Sequence, residues 1–262
     1  MIGVFDSGIG GLTVVRALLD HLPGQNIIYL GDTARTPYGS KSSDTIVKYC
    51  LNNTEFLIRH GAHIIVIACN TASSYAYDAV RSTFDVPVFE VIGPGSELAV
   101  QRSRSQRIGV IGTRATVASG IYQKRIRAIA PEAKVFMVPC PLLVPLVEEG
   151  WLRRPETAMI VRKYLAGLKT KQIDTLILGC THYPVLRDLI QRKIGSRVKL
   201  VDSAEAIARQ VSQYLESEDN ASLSPISSQD QCRIYVTDTA EQFQKTAHFL
   251  LKKKVPVEHA DI

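Results

Sequence analysis

A strand-to-cysteine motif occurs twice in this chain, and the interval between its copies sets the architecture. The first copy runs IIVIACNTAS, with Cys69 followed by Asn70 and Thr71; the second runs TLILGCTHYP, with Cys180 followed by Thr181 and His182. Each is an apolar, β-branched run ending in a small residue and a cysteine, then polar donors leading toward a helix. Cys180 lies 111 positions after Cys69, and IGVIGT at Ile108 follows IGVFDSG at Ile2 by 106. Two unrelated segments repeating at nearly one interval point to two α/β halves made by duplication. If the halves face each other, the two thiols flank one cleft. That suits a reaction with an acid on one face of a carbon and a base on the other.

Strand and helix patterns alternate along the chain. MIGVF, NIIYLG, HIIVIA and PVFEVI read as strands, with helices over residues 10–22, 42–60 and 71–83 between them. In the second helix Ile46, Val47, Cys50, Leu51, Thr54, Leu57 and Ile58 form one stripe, so Cys50 reads as a core residue. Gly93-Pro94-Gly95 punctuates the chain and marks the start of a new unit. RIGVI, AKVFMV, DTLILG and RVKLV supply its strands, with helices near 115–129, 155–168 and 184–194. The apolar runs are continuous, as in parallel strands covered on both faces. Residues 217–231 are polar and read as a surface excursion; CRIYV and a helix near 239–251 then return to the first domain. The expected division is residues 1–93 with 206–262, and 94–205.

Composition narrows the class. The 262 residues are 45% hydrophobic and 21% charged, ordinary for a soluble globular protein. No apolar run approaches the roughly 18 residues of a membrane span, and the N-terminus lacks a signal-peptide pattern. Five cysteines (50, 69, 140, 180 and 232) without a CxxC pair argue against disulfides or a metal site, and for a reducing cytoplasm. The formal charge is +6, with Lys252, Lys253 and Lys254 in one run and Arg102, Arg104 and Arg107 in a looser group. Solvated surface is the favoured account of these. A nucleotide- or nucleic-acid-binding module is the rival, and no interleaved aromatics or recognised motif indicate nucleic acid as a partner.

Ligands of parallel α/β sheets collect beyond the carboxyl ends of the strands. Asp6-Ser7-Gly8 stands there, either as a capped tight turn or as a binding loop. A dinucleotide fingerprint is incomplete, because Thr13 stands where its third glycine belongs. GDTARTPYG (31–39), carrying Asp32, Arg35 and Tyr38, reads as a turn or a ligand loop. Cys69 and Cys180 each end a strand and open a helix, where the helix N-terminus favours thiolate. Asn70, Thr71, Thr181 and His182 are positioned to bind a carboxylate, and His182 to serve Cys180. Cys140 lacks that strand-to-helix context and reads as structural. Glu148 follows an apolar run, so it is either a solvated helix end or a partner of His182.

Taken together, FDSGIGGL, DTARTPYG, IACNTAS, CPLLVPLVEEG, LGCTHYP and VDS resemble glutamate racemase, in the cofactor-independent aspartate/glutamate racemase superfamily. One departure is FEVIGPG at 89–95, where GVIEPG is the expected form. The resemblance implies two pseudo-symmetric α/β domains, each a mostly parallel sheet flanked by helices, with glutamate in the interdomain cleft and no cofactor. It implies Cys69 and Cys180 as the acid/base pair, Cys69 acting on D-glutamate and Cys180 on L-glutamate, with Asp6 assisting Cys69, and His182 with Glu148 assisting Cys180. Asp6, Ser7, Asp32, Pro37, Tyr38, Gly39, Asn70, Thr71, Thr116, Thr181 and His182 would then hold the substrate. The implied product is D-glutamate for peptidoglycan, made by a cytoplasmic homodimer, with aspartate or another amino acid as the alternative substrate. Some relatives carry an N-terminal extension tied to activation by a cell-wall precursor; with strand residues at the start of this sequence, no such activation is expected. Interaction with DNA gyrase, reported for some members, is not indicated.

Overall fold

The apolar β-branched runs become strands, and helices connect them along the chain. A computed structural model describes residues 1–217, 231–238, 241–252 and 255–262. The chain begins β1 (Ile2–Asp6), α1 (Leu12–His21), β2 (Ile27–Gly31), α2 (Ser43–Arg59), β3 (Ile64–Ile67), α3 (Asn70–Thr83) and β4 (Val88–Glu90). It continues α4 (Ile92–Arg102), β5 (Arg107–Gly112), α5 (Arg114–Ala118), α6 (Ile121–Ile129), β6 (Lys134–Pro139) and α7 (Leu143–Glu148). Then come α8 (Pro155–Thr170), β7 (Thr175–Gly179), α9 (Arg187–Ile194), β8 (Lys199–Asp202) and α10 (Ser203–Ser217). β9 (Cys232–Val236), α11 (Glu241–Leu251) and β10 (Val257–His259) follow. Most of the polar stretch at 217–231, with Lys253 and Lys254, lies outside the described residues.

Two compact units result, Met1–Val91 with Ala204–Ile262, and Ile92–Ser203. The first holds a parallel sheet of order β10-β9-β2-β1-β3-β4, the second one of order β6-β5-β7-β8. The order β2-β1-β3-β4 maps onto β6-β5-β7-β8 strand for strand, so the repeat seen in sequence is a repeat of topology. The first sheet gains two strands from the tail: β9 pairs with β2 from Ile27↔Cys232 to Gly31↔Val236.

Every residue of β1, β2, β3 and β7 is buried, which is why their sequences do not alternate. Ile2 and Val4 face a core with Leu12, Val15 and Leu18 of α1 and Ile207 and Val211 of α10. Phe5 faces the opposite core, with Ile46, Cys50 and Leu57 of α2 and Ala72 and Ala76 of α3. A glycine sits at the same place in each central strand. A Cβ on Gly3 would stand 2.7 Å from Ala62 Cβ, and one on Gly109 2.6 Å from Ile173 Cδ1. Both glycines let a crossover segment press directly on the central strand.

Two local expectations are corrected. Gly93-Pro94-Gly95 lies at the start of the second unit but is helical, not an irregular break: it forms the first turn of α4, and the preceding strand already stops at Glu90. Proline is tolerated there because first-turn N–H groups have no intrahelical acceptor. The helix expected over 115–129 is two helices, α5 and α6, parted at Ser119-Gly120, where Gly120 adopts φ +64°. α7 lies between Cys140 and Trp151 and ends at Glu148, where the sequence offers a helix end.

Candidate active site

In each sheet the second strand of the order β2-β1-β3 or β6-β5-β7 is where successive connections diverge, opening a crevice at the carboxyl ends. Asp6 ends β1 and Ser7-Gly8 follow it, while Cys69 comes after β3; Thr113 follows β5 and Cys180 follows β7. The two cysteines thus occupy equivalent positions in equivalent sheets.

In the first unit Cys69 is the N-cap residue of α3, buried, and its carbonyl accepts the Ser73 N–H at 2.8 Å. Its Sγ lies 3.6 Å from Ser7 Oγ. Asn70 and Thr71 follow in the first turn, both buried. Asp6 is fully buried, and its Oδ2 accepts the N–H groups of Gly8 and Gly11, each at 3.1 Å. Those are N–H groups that a dinucleotide-binding turn would offer to phosphate; here they are committed to a carboxylate. A Cβ at Gly11 would collide with Asp6 Cβ.

The 31–39 segment forms a second cluster, locked from within. Asp32 is fully buried; its Oδ1 accepts from Arg35 Nε at 2.8 Å and from Thr237 Oγ1 at 3.0 Å, and its Oδ2 from the Tyr38 hydroxyl. Asn53 completes the cluster, donating to Tyr38 Oη at 3.0 Å and accepting from Arg35 at 3.2 Å. Burial pushes the Tyr38 phenol far up, and the Asp32 charge adds to the effect. Pro37 follows a cis peptide bond, and Gly39 lies within the single 3₁₀ turn Tyr38–Ser40. Cys50 sits between the clusters. Burial raises its thiol pKa, and the charges of Cys69 and Asp32 raise it further.

In the second unit His182 joins two side chains. Its Nδ1 lies 3.8 Å from Cys180 Sγ and its Nε2 3.2 Å from Glu148 Oε1. His182 is almost wholly buried, while Glu148 keeps 32% of its side chain exposed. Glu148 is thus both the end of α7 and a hydrogen-bond neighbour of His182. Thr113 caps α5, and its hydroxyl shares a 3.0 Å bond with that of Thr116, which is fully buried. Thr181 is buried beside Cys180.

Two cysteine contexts differ from expectation. Cys180 does not open an α-helix directly. A turn closed by Tyr183 N–H onto the Cys180 carbonyl leads into a 3₁₀ segment, Tyr183–Leu186, before α9 begins. Pro184 lacks the N–H that a regular helical start would use later in the turn. Cys140 does follow a strand and precede a helix, but it is fully buried. Burial raises its thiol well above its ordinary range, and the nearby Cys180 raises it further. The side chains that local pattern missed are Tyr29, Asn53, Tyr183 and Thr237. Tyr29 lies in an apolar strand, Asn53 within α2, Tyr183 at the start of the 3₁₀ segment and Thr237 just past β9, where nothing local marks a polar role.

Comparison with known proteins follows the same lines. The family model described as Asp/Glu/Hydantoin racemase matches residues 12–211. A glutamate racemase of Syntrophus aciditrophicus is 47% identical over 255 residues, 97% of this chain and 94% of that protein. Among solved structures, a glutamate racemase isoform from Bacillus anthracis superposes with a TM-score of 0.95 at 34% identity, covering 100% of this chain and 97% of that one. The Francisella tularensis glutamate racemase in complex with D-glutamate gives 0.91 at 36% identity, with the same coverage. With this depth of likeness over its whole length, the chain belongs to the Asp/Glu/Hydantoin racemase family and stands among its glutamate racemases.

Proposed function

We propose that this protein interconverts L- and D-glutamate by proton transfer between Cys69, Cys180 and the α-carbon, supplying D-glutamate for peptidoglycan. The observation that carries the reading is the placement of Cys69 and Cys180 after β3 and β7, equivalent strands of two repeated sheets. The Francisella relative, solved with D-glutamate, supports the substrate. None of the five cysteines is in a disulfide, which fits a reducing cytoplasm. Among the described residues no helix is long and apolar enough to cross a membrane.

The hard step is removal of a weakly acidic α-proton. One cysteine enters as thiolate and takes that proton, becoming a thiol. The other enters as thiol and delivers a proton to the opposite face, becoming a thiolate. Charge and protons balance, and the enzyme is left poised for the reverse direction. Negative charge developing on the α-carboxylate needs fixed donors. Ser7, Tyr38, Gly39, Asn70, Thr71, Thr116, Thr181 and His182 are the groups assigned to hold the substrate's carboxylates and ammonium. Asp6 serves Cys69, and His182 with Glu148 serves Cys180.

The test is racemisation of L-glutamate, against L-aspartate, in deuterated water without added cofactor. Deuterium is expected chiefly in the product enantiomer, with recovered substrate still protiated early on. Cys69→Ser and Cys180→Ser are each expected to abolish racemisation, because a serine hydroxyl is too weak an acid to supply the anionic base. Each variant keeps elimination from one enantiomer of a β-substituted analogue, since elimination needs only the remaining base. Near-normal racemisation by either variant would defeat the two-thiol reading, and preference for aspartate would defeat the substrate.

A further inference from the structure

Tyr29 stands in the middle of β2, fully buried, and its hydroxyl donates to the Gly8 carbonyl at 2.5 Å. The Gly8 N–H in turn donates to Asp6 Oδ2 at 3.1 Å, as does that of Gly11. A Cβ placed on Gly11 would stand 3.0 Å from the Tyr29 hydroxyl, so the phenol packs directly beneath this turn. Ser7, between Asp6 and Gly8, has its hydroxyl 3.6 Å from Cys69 Sγ. One bond from a rigid central strand therefore reaches the turn that carries both Asp6 and Ser7. Burial pushes the phenol's pKa well up, and the charges of Asp6 and Cys69 push it further, so Tyr29 stays a donor across the working pH range. Packing alone would be met by phenylalanine; the hydroxyl adds the bond to Gly8.

We propose that Tyr29 is a positioning residue for the Cys69 half of the reaction, holding the Asp6-Ser7-Gly8 turn in register with the Cys69 thiol. The proposal rests on the two-thiol reading above. Without the hydroxyl, the Gly8 carbonyl loses a donor and the turn gains freedom. Ser7 then supports the Cys69 thiolate less well, and proton transfer at Cys69 slows while that at Cys180 does not.

The experiment compares the full-length protein with Tyr29→Phe by two readouts. The first is independent of turnover: iodoacetamide alkylation of each cysteine, read by peptide mass spectrometry at fixed pH. Cys69 is expected to react about threefold more slowly or less, the scale of one weakened hydrogen bond, and Cys180 at its original rate. The second is kinetic. The kcat on D-glutamate, the direction assigned to Cys69 by family resemblance, is expected to fall about tenfold with little change in KM. The α-deuterium isotope effect should rise on D-glutamate and fall on L-glutamate, and 4-aminophenylalanine at position 29, which retains a donor, should restore all three. Unchanged Cys69 alkylation, an equal change at both cysteines, or isotope effects that move alike in both directions would overturn the proposal. If Tyr29→Phe does not fold, 3-fluorotyrosine, a stronger donor of similar size, must change alkylation at Cys69 and not at Cys180. A Cys69-selective change in a protein that fails to racemise glutamate would strike the functional reading and leave the positioning role standing.

Discussion

Glu148 Oε1 meets His182 Nε2 at 3.2 Å across 34 residues of chain, and the other ring nitrogen faces Cys180 Sγ at 3.8 Å. The histidine therefore bridges a carboxylate and a thiol. With a proton on Nε2 directed at Glu148, Nδ1 is free to accept from the Cys180 thiol. With both nitrogens protonated, the ring donates to a Cys180 thiolate while Glu148 balances its charge. Either state suits one half of a turnover. Cys69 has a different surrounding, with a serine hydroxyl at its sulfur and Asp6 tied into its own turn.

That asymmetry predicts a direction-dependent defect in Glu148→Gln. The amide keeps the hydrogen bond but removes the charge that balances an imidazolium. The expected loss in kcat is about tenfold to a hundredfold, smaller than the roughly hundredfold to ten-thousandfold that a group transferring the proton itself contributes. The α-deuterium isotope effect should rise on L-glutamate, the direction assigned to Cys180 by resemblance, and not on D-glutamate. Isotope effects that move alike in both directions would reduce Glu148 to a structural role.

Asp32 is expected to act through the scaffold. Its carboxylate takes bonds from Arg35, Thr237 and Tyr38, and it is fully buried, with Arg35 only 19% exposed. Asp32→Ala leaves a guanidinium and two hydroxyls without their acceptor, a cost of about 3 kcal/mol or more. Chemical denaturation should show that loss, and Tyr38→Phe a smaller one of about 1–3 kcal/mol. A fully stable Asp32→Ala protein that has lost kcat would instead place Asp32 on the substrate.

Asp174 carries a pH-dependent contribution to stability far from the cysteines' strand ends. It accepts from Ser103 Oγ at 2.6 Å and from the N–H groups of Arg104 and Ser105 at 2.7 and 2.6 Å. Partial burial alone would raise its carboxyl, but these bonds outweigh it and bring the pKa down to about 2. A folded value below the unfolded one, roughly 3.9, stabilises the fold above that pH and is lost as pH falls from about 4 through about 2. Because the group is largely solvated, Asp174→Asn is expected to cost under ~1 kcal/mol at pH 7. The Tm difference from the parent protein should shrink toward zero by pH 2. A difference that is constant from pH 7 to pH 2 would show that the carboxylate's charge is not what matters.

The sequence by itself determined the alternation of strands and helices, the repeat, and the placing of Cys69 and Cys180 at strand ends. Those features rest on local periodicity and on a duplication whose copies remain readable, as IIVIACNT and TLILGCTH show. Boundaries blurred where a residue's usual meaning was overridden: Pro94 lies in a helix because first-turn N–H groups need no partner, and Gly120 splits a helix that reads as continuous. Only the tertiary structure decided which distant groups share a hydrogen bond. Tyr29 with Gly8, Tyr183 with the Cys140 carbonyl, and Thr237 with Asp32 across 205 residues are such pairs, whereas Glu148 with His182 is already one of the two readings that the sequence offers. The tail's choice of β2 as its partner belongs with them. A buried donor must find an acceptor, but the sequence names only the donor; the partner is whichever carbonyl or carboxylate the packed sheets bring within about 3 Å.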